Sequence, residues 1–233
     1  IFDAASVAPG DFTGFTFFIG SVSMLAATVW FLMQHGQVDK KFKDSMLVAA
    51  LITGIAAVHY FYMREQWVLT GESPTELRYI DWILTVPLMC VEFYLILKVA
   101  GATKSLMWKL IGLSVIMLVT GYLGETGDSA VLWGTISGLA YFVIAYEVWL
   151  GGAKKLAEAA GGQVLESHKM LCWFVLVGWS IYPLGYMIGT DGWYDFVDGI
   201  GLDMDVVYNI GDAINKIGFG LVVYAVAIAS SKD

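Results

Sequence analysis

The sequence predicts an all-α membrane protein, a bundle of seven transmembrane helices that forms one domain over residues 1–233. Of the 233 residues, 58% are hydrophobic and only 15% are charged, which is too apolar for a soluble domain of this length. Seven apolar segments are each long enough to span about 30 Å of hydrocarbon, which takes roughly 20 helical residues. The connections between them are short, so neighbouring helices are expected to pack antiparallel.

The seven segments are predicted at residues 12–34, 43–69, 75–99, 104–123, 129–150, 166–189 and 202–230. A polar lead-in precedes the first segment, lysines flank the start of the second, and Pro74 precedes the third, where its missing N–H is harmless. The pair Gly161-Gly162 precedes the sixth. Pro87 and Pro183 lie inside the third and sixth segments and are expected to kink them.

Charged residues segregate to opposite ends of these segments. Because Lys and Arg prefer the cytoplasmic side in short loops, the segregation predicts an N-terminus outside, a C-terminus in the cytoplasm and a multi-pass protein of the plasma membrane. The net charge of −8 argues against nucleic-acid binding. One set of ends carries Lys40, Lys41, Lys43, Lys98, Lys104, Lys109, Lys154, Lys155, Lys169 and Lys232, and the other carries Glu72, Glu76, Glu125, Asp128, Asp191, Asp195, Asp198, Asp203 and Asp205.

Several polar and sulfur-containing residues receive no functional role. Cys90 and Cys172 fall inside apolar segments and are expected to be buried thiols, and the sequence shows no metal-ligand cluster. Glu65 and Glu147 lie near helix ends and are expected to be solvated.

Lys216 lies inside the seventh apolar segment, four residues after Asp212. A charged residue near the centre of a bilayer costs roughly 2.5–3.5 kcal/mol on insertion scales, so such a residue predicts a functional site. The spacing places both charges on one helical face, where each offsets part of the other's burial cost.

The third segment carries further ionisable residues that lie on one face of the predicted helix. Asp81, Thr85 and Glu92 share one helical face, and the two carboxyls are about 16 Å apart along the axis. Asp81 is expected in the outer half and Glu92 in the inner half, with Lys216 between them, which is the order that a one-way proton path requires. Arg78 is expected to share its charge with Asp81. Glu92, among apolar neighbours, is expected to remain protonated.

Aromatic side chains on three segments are predicted to converge near Lys216. They are Trp82, Trp179, Tyr182 and Tyr208, with Tyr182 directly before Pro183. A buried lysine amine can form a Schiff base with a carbonyl compound, and a flat conjugated ligand would fit between such rings. His59, on the second segment, is a further titratable group that could contact Asp81.

Three motifs resemble those of the microbial rhodopsins, and the resemblance covers essentially the whole chain: Arg78-Tyr79-x-Asp81-Trp82-x-x-Thr85-x-Pro87, Trp179-x-x-Tyr182-Pro183 and Asp212-x-x-x-Lys216. Within that family, His59-Tyr60 and Phe93-Tyr94-Leu95-Ile96-Leu97 resemble the proteorhodopsin group. The resemblance implies all-trans retinal on Lys216 as a protonated Schiff base, and transport of protons outward.

The resemblance also implies individual roles. Asp81 would accept the proton, Asp212 would be the second counter-ion and Glu92 the cytoplasmic donor, while His59 would pair with Asp81. The Asp81, Thr85 and Glu92 triplet resembles outward proton pumps, because halide pumps lack the first carboxylate and sodium pumps typically carry Asn, Asp and Gln. Met89 matches the colour-tuning position and implies green absorption. The family also suggests a ring-shaped homo-oligomer in the lipid membrane.

Other interpretations remain open. A retinal-based photosensor that signals to a partner protein would use the same chromophore, although Glu92 argues against it. A seven-helix protein without retinal would use Lys216 and Asp212 as a structural ion pair. A paired proton-release group is also undecided, since Asp191 matches one release position but Met204 stands at its partner position, flanked by Asp203 and Asp205.

Overall fold

The structure, a computed structural model, describes residues 8–188 and 203–229. These residues contain no strand and seven helical segments that are long and apolar enough to cross a membrane, which confirms the predicted fold class. The helices are α1 (Phe12–Gln34), α2 (Lys43–Thr70), α3 (Thr75–Leu97), α4 (Lys104–Thr126), α5 (Ala130–Trp149), α6 (Gly152–Ala160), α7 (Gly162–Trp173), α8 (Ile181–Ile188) and α9 (Met204–Ala229). Short 3₁₀ turns, Lys40–Phe42 and Lys98–Ala100, precede α2 and follow α3.

The seven spanning segments alternate in direction. We call the end at which α2, α4 and α7 begin the lysine-rich end, and the end at which α1, α3, α5 and α9 begin the acidic end. Helix α9 packs against α1, α2 and α7 and so closes the bundle. Cys90 and Cys172 are both buried and free, as predicted. The predicted helix ends at 189, 202 and 230 lie outside the described residues.

The sixth spanning segment is irregular in the middle. It begins at Gly162, four residues before the predicted start, and changes to π-helix over Phe174–Gly178, where the Trp179 N–H reaches the Phe174 carbonyl at 2.9 Å. The Tyr182 N–H then bonds the Trp179 carbonyl at 3.2 Å instead of the Gly178 carbonyl. A π-helical segment thus lies just before Pro183, whereas α3 continues as α-helix through Pro87.

The short helix α6 was not predicted, and it explains a wrong prediction for Glu147. That side chain is only 7% exposed, because its Oε1 accepts the Gly152 N–H at 2.9 Å and its Oε2 accepts Lys109 Nζ at 2.5 Å. The first N–H groups of a helix need acceptors, and Glu147 supplies one for α6. Ala153 and Ala157 bury the inner face of α6 against Leu97, the last residue of α3.

Candidate functional site

Lys216 lies at the centre of the bundle between two carboxylates. It is 2% exposed, and its Nζ donates to Asp212 Oδ2 at 2.6 Å and to Asp81 Oδ2. Asp212 reaches the ammonium because it lies one turn earlier on α9, and Asp81 reaches it from α3. Both carboxylates are fully buried. A buried cation is tolerated only with such partners, since an unpaired charge in the interior costs several kcal/mol or more.

The two carboxylates differ in their hydrogen-bond donors. Asp212 accepts the Tyr182 hydroxyl at 2.5 Å on Oδ1 and the Tyr60 hydroxyl at 3.0 Å on Oδ2, in addition to Lys216. Asp81 Oδ1 has no hydrogen-bond partner among the described residues. Donors stabilise a carboxylate in its charged form, so the surroundings of Asp212 hold a negative charge better than those of Asp81.

His59 and Thr85 both lie beside Asp81 without bonding its carboxylate. His59 Nδ1 is 4.0 Å from Asp81 Oδ1 and bonds the Ile55 carbonyl at 2.8 Å. The Thr85 hydroxyl donates to the Asp81 backbone carbonyl at 2.9 Å. The structure thus brings both residues to the predicted place, with the imidazole in electrostatic rather than hydrogen-bond contact.

Arg78 extends away from Asp81 toward the acidic end. Its Nη2 donates to Asp205 Oδ1 at 2.6 Å and its Nη1 to Asn209 Oδ1 at 3.2 Å, and the guanidinium lies 5.0 Å from the centre of the Tyr208 ring. Asp205 also accepts the Ser73 hydroxyl at 2.8 Å. The charge of Arg78 is therefore paired mainly with Asp205, one turn before Asn209 on α9, and not with Asp81 as expected from the sequence.

The two aspartates beside Met204 have different partners. Asp203 accepts the Thr13 hydroxyl at 2.5 Å, so it ties α9 to α1, while Asp205 pairs with Arg78. Asp191 lies outside the described residues. Of the carboxylates considered for a release group, Asp205 is the one in the described part of the chain that contacts Arg78.

Glu92 lies three turns along α3 from Asp81, toward the lysine-rich end. It is fully buried, and neither carboxyl oxygen has a hydrogen-bond partner among the described residues. The Ser45 hydroxyl of α2 lies close enough to interact with it, although it too lacks a partner of good geometry. A carboxyl group without a cationic partner is accommodated in such surroundings as the neutral acid.

An apolar cavity of about 390 Å³ lies between α3, α4, α5 and α8. Four of the predicted ligand-binding residues line it, namely Trp82, Trp179, Tyr182 and Pro183. It reaches the charged centre through Tyr182, whose hydroxyl bonds Asp212. The wall is completed by residues that the sequence analysis did not name, among them Val86, Met117, Gly121, Gly138 and Tyr141.

Met89 and Tyr208 were also predicted beside the ligand, but they do not line this cavity. Met89 is 2% exposed and belongs to the apolar core. Tyr208 lies one layer toward the acidic end, where its ring stacks on that of Tyr182 at 6.2 Å and meets the edge of Trp82 at 5.5 Å.

Sequence reasoning missed Tyr60, Asn209 and Asp205 as members of the site. Tyr60 is fully buried, and a buried tyrosine hydroxyl needs a partner, so a tyrosine deep in an apolar helix next to His59 was a usable signal. Asn209 is 1% exposed, bonds Arg78 and donates to Thr16 Oγ1 at 2.9 Å. The only sequence signal for Asn209 was its position three residues before Asp212, on the same face of the helix.

Known proteins share this architecture. Residues 11–230 match the family described as bacteriorhodopsin-like protein. The chain is 42% identical over 228 residues to a green-light absorbing proteorhodopsin of Gamma-proteobacterium EBAC31A08, an alignment that covers 96% of this chain and 89% of the relative. It is 41% identical to a blue-light absorbing proteorhodopsin of Gamma-proteobacterium Hot 75m4, with the same coverage.

A solved structure shows the same likeness in three dimensions. The crystal structure of a blue light-absorbing proteorhodopsin from Med12 superposes with a TM-score of 0.78 at 40% identity, covering 94% of this chain and 100% of that one. The match of family, sequence and fold confirms the resemblance inferred from the motifs: this chain belongs to the bacteriorhodopsin-like family of membrane proteins, and its curated relatives at about 40% identity are proteorhodopsins.

Proposed function

We propose that this chain is a light-driven pump that carries protons outward by means of a retinal chromophore on Lys216. The observation that supports it most directly is the buried lysine amine between Asp81 and Asp212, next to an apolar cavity lined with aromatic rings. The names of its relatives, green- and blue-light absorbing proteorhodopsins, support the dependence on light.

The residues around the cavity fit retinal. A volume of about 390 Å³ lies within the range of small-molecule sites, and the largely apolar wall suits a hydrocarbon chain. The primary amine of Lys216 can join an aldehyde as a Schiff base. Trp82, Trp179, Tyr182 and Pro183 would line the ligand, with Met89 and Tyr208 close to it. When bound, retinal supplies light absorption and a photoisomerisation that changes the proton affinity of the lysine nitrogen.

Asp81 is the proton acceptor in this proposal, and Asp212 is the counter-ion that stays charged. Both carboxylates contact Lys216 Nζ, but Asp212 has two tyrosine hydroxyls to stabilise its charge and Asp81 Oδ1 has no donor. A proton that leaves the lysine nitrogen therefore moves to Asp81 Oδ2. His59, at 4.0 Å from Asp81 Oδ1, lies near enough to influence that transfer.

Glu92 returns a proton to the lysine nitrogen from the other side. Its carboxyl group has no cationic partner, so it stores a proton as the neutral acid until the nitrogen has lost its own. Arg78, paired with Asp205, is the first polar group on the way from Asp81 to the acidic end. Protons thus enter from the lysine-rich end and leave at the acidic end.

The orientation, location and assembly follow from the same proposal. The lysine-rich end faces the cytoplasm, which places the N-terminus outside and the C-terminus inside. The membrane is the plasma membrane, across which an outward pump builds a proton gradient. The resemblance to the family supports assembly of the protomers as a ring-shaped homo-oligomer.

Formation of the pigment is the first test. Retinal added to the expressed chain should produce a visible absorption band that hydroxylamine bleaches, because hydroxylamine cleaves a Schiff base. The variant Lys216→Ala should give no band, whereas Lys169→Ala, which removes an exposed lysine of α7, should give the original one. No band in the retinal-supplied chain would reject retinal and favour the structural ion pair.

Transport is the second test. Illuminated cells should acidify their medium, an uncoupler should abolish the change, and Asp81→Asn should show none because the acceptor is lost. A chain that forms the pigment but leaves the pH of the medium unchanged under light would be a photosensor and not a pump.

A further inference from the structure

His168 is a buried imidazole that the proposed proton path does not use. It is 2% exposed, and it is the one buried side chain among the three histidines of the sequence, all of which the structure describes. Its Nε2 lies 2.8 Å from the Val148 carbonyl. Because a carbonyl only accepts, Nε2 must carry the hydrogen in the neutral ring, and Nδ1 is left as a free base.

The hydrogen bond to Val148 does not by itself explain why a histidine occupies position 168. The Val148 carbonyl lacks its helical partner because the Gly152 N–H bonds Glu147 instead, and the Cys172 thiol already donates to it at 3.3 Å. Trp149 Nε1 ties the same two helices by donating to the Cys172 carbonyl at 3.1 Å. His168 Nδ1, by contrast, is buried without a hydrogen-bond partner, which costs roughly 1–3 kcal/mol.

The ring packs against α3 beside Glu92 and lies close to α6 at the lysine-rich end. The imidazole meets the edge of the Phe93 ring at 5.7 Å, and Phe93 follows Glu92 on α3. Glu158 of α6, with a side chain 54% exposed and paired with Lys154 at 3.7 Å, is a carboxylate near the imidazole at this end. The imidazole thus packs against the residue that follows Glu92, and a carboxylate of α6 lies near it at the lysine-rich end.

We propose that His168 relays protons from the lysine-rich end to Glu92, an inference that rests on the proposed pump function. Nδ1 takes up a proton from that end, and the ring becomes a cation with hydrogen on both nitrogens. Nδ1 then gives this proton to the Glu92 carboxylate that remains after Glu92 has served Lys216. Cation and carboxylate become two neutral groups, and the ring regains its Nε2–H form.

His168→Gln tests the relay, because the glutamine amide can still donate to the Val148 carbonyl but has no basic nitrogen. The matched control is Cys172→Ala, which removes the other donor to Val148 and keeps the imidazole. Time-resolved infrared spectroscopy follows the loss and the recovery of the Glu92 carboxylic acid band after a flash. We expect the loss to keep its rate within twofold in both variants, and the recovery to slow at least tenfold in His168→Gln alone.

Recovery at the original rate in His168→Gln, or equal slowing in Cys172→Ala, would overturn the relay. His168 would then be only a structural contact between α5 and α7. If the original protein shows no loss of the Glu92 band, the proposed donor role itself fails, which is a separate result. Nitrogen NMR of histidine-labelled protein in the dark needs no variant. It should show a neutral ring with hydrogen on Nε2, and hydrogen on Nδ1 in the dark would overturn the proposal.

Discussion

Tyr60→Phe should redistribute the transferred proton between the two carboxylates beside Lys216. The Tyr60 hydroxyl donates to Asp212 Oδ2 at 3.0 Å and does not contact Asp81 by a hydrogen bond. Its ring lies outside the wall of the ligand cavity, so the substitution removes one donor without changing the space for a chromophore. The charged form of Asp212 loses stabilisation, and Asp212 competes better for the proton that otherwise goes to Asp81.

The size of this effect follows from the bond that is lost. A hydrogen bond to a charged group contributes roughly 1.5–3 kcal/mol, and 1.4 kcal/mol corresponds to a factor of ten. The ratio of protonated Asp81 to protonated Asp212 should therefore fall roughly 10- to 150-fold in Tyr60→Phe. Tyr62→Phe, two residues later on α2 with an exposed ring, is the matched control and should leave the ratio unchanged.

Flash-induced infrared difference spectra measure this ratio through the carboxylic acid bands. The original protein should show one transient aspartic acid band, which Asp81→Asn removes, and Tyr60→Phe should add a second band that survives Asp81→Asn. A spectrum of Tyr60→Phe that matches those of the original protein and Tyr62→Phe would refute the argument that hydrogen-bond donors decide which aspartate accepts the proton.

Three further predictions concern other parts of the site. Glu92→Gln should slow reprotonation of the lysine nitrogen roughly 100-fold, the usual scale of general acid catalysis, and an unaltered photocycle in time-resolved absorption would remove the donor role. Met89→Gln should shift the absorption band of the purified pigment to shorter wavelength, since the resemblance implies that this position tunes colour and that glutamine here accompanies blue absorption; an unchanged or red-shifted spectrum would contradict this. Gly178→Ala should lower the thermal unfolding temperature, because its Cβ would collide with the Asn215 amide, whose bond to the Gly178 carbonyl contributes roughly 1 kcal/mol. Gly112→Ala, with open space around it, should not lower that temperature.

The fold could be predicted from the sequence because the membrane leaves few alternatives. Backbone polar groups must be satisfied within each segment in lipid, so a run of about 20 apolar residues predicts a helix on its own. The boundaries of α1 agree with the prediction at both ends. Helix α6 was missed because nine residues rich in alanine and lysine are too short to stand out from a polar loop.

The contact between Asp212 and Lys216 could be predicted from helical spacing, whereas the directions of the longer side chains around them could not. The spacing of Asp212 and Lys216 fixes a contact within one helix, which the structure shows at 2.6 Å. The pairing of Arg78 depends on how α3 and α9 pack, and a long side chain one turn from Asp81 can extend either way. Arg78 extends outward because it pairs with Asp205. These residues are 127 positions apart in the sequence, so no local pattern predicts the contact.

The π-helical segment before Pro183 shows the same limit at the level of the backbone. Proline predicts that a hydrogen bond is lost, but not how neighbouring residues rearrange around the loss. Here the Tyr182 N–H bonds the Trp179 carbonyl, and the freed Gly178 carbonyl accepts the Asn215 amide at 2.9 Å. Since Asn215 precedes Lys216, this bond joins the lysine helix to the irregular turn that carries Trp179, a connection visible only once α7, α8 and α9 are assembled.

The direction of transport in our proposal depends on a difference between the two halves of the bundle. From Asp81 outward, polar groups follow in sequence, because Arg78 bonds Asp205 and Asn209 and Asn209 bonds Thr16. Toward the lysine-rich end the surroundings of Glu92 are largely apolar: the Phe219 ring packs 5.8 Å from Phe93, and Glu92 has no hydrogen-bond partner among the described residues.

A proton on Asp81 therefore has polar neighbours on the outer side, whereas mainly apolar and aromatic side chains lie on the side of Glu92. In our proposal, entry from the lysine-rich end uses a titratable group in that half, His168. The buried lysine is equally available to both halves, so it cannot set the direction by itself. The unequal polarity of the two halves can set the direction. Among the described residues, Nδ1 of His168 is the one buried basic nitrogen without a hydrogen-bond partner on the entry side.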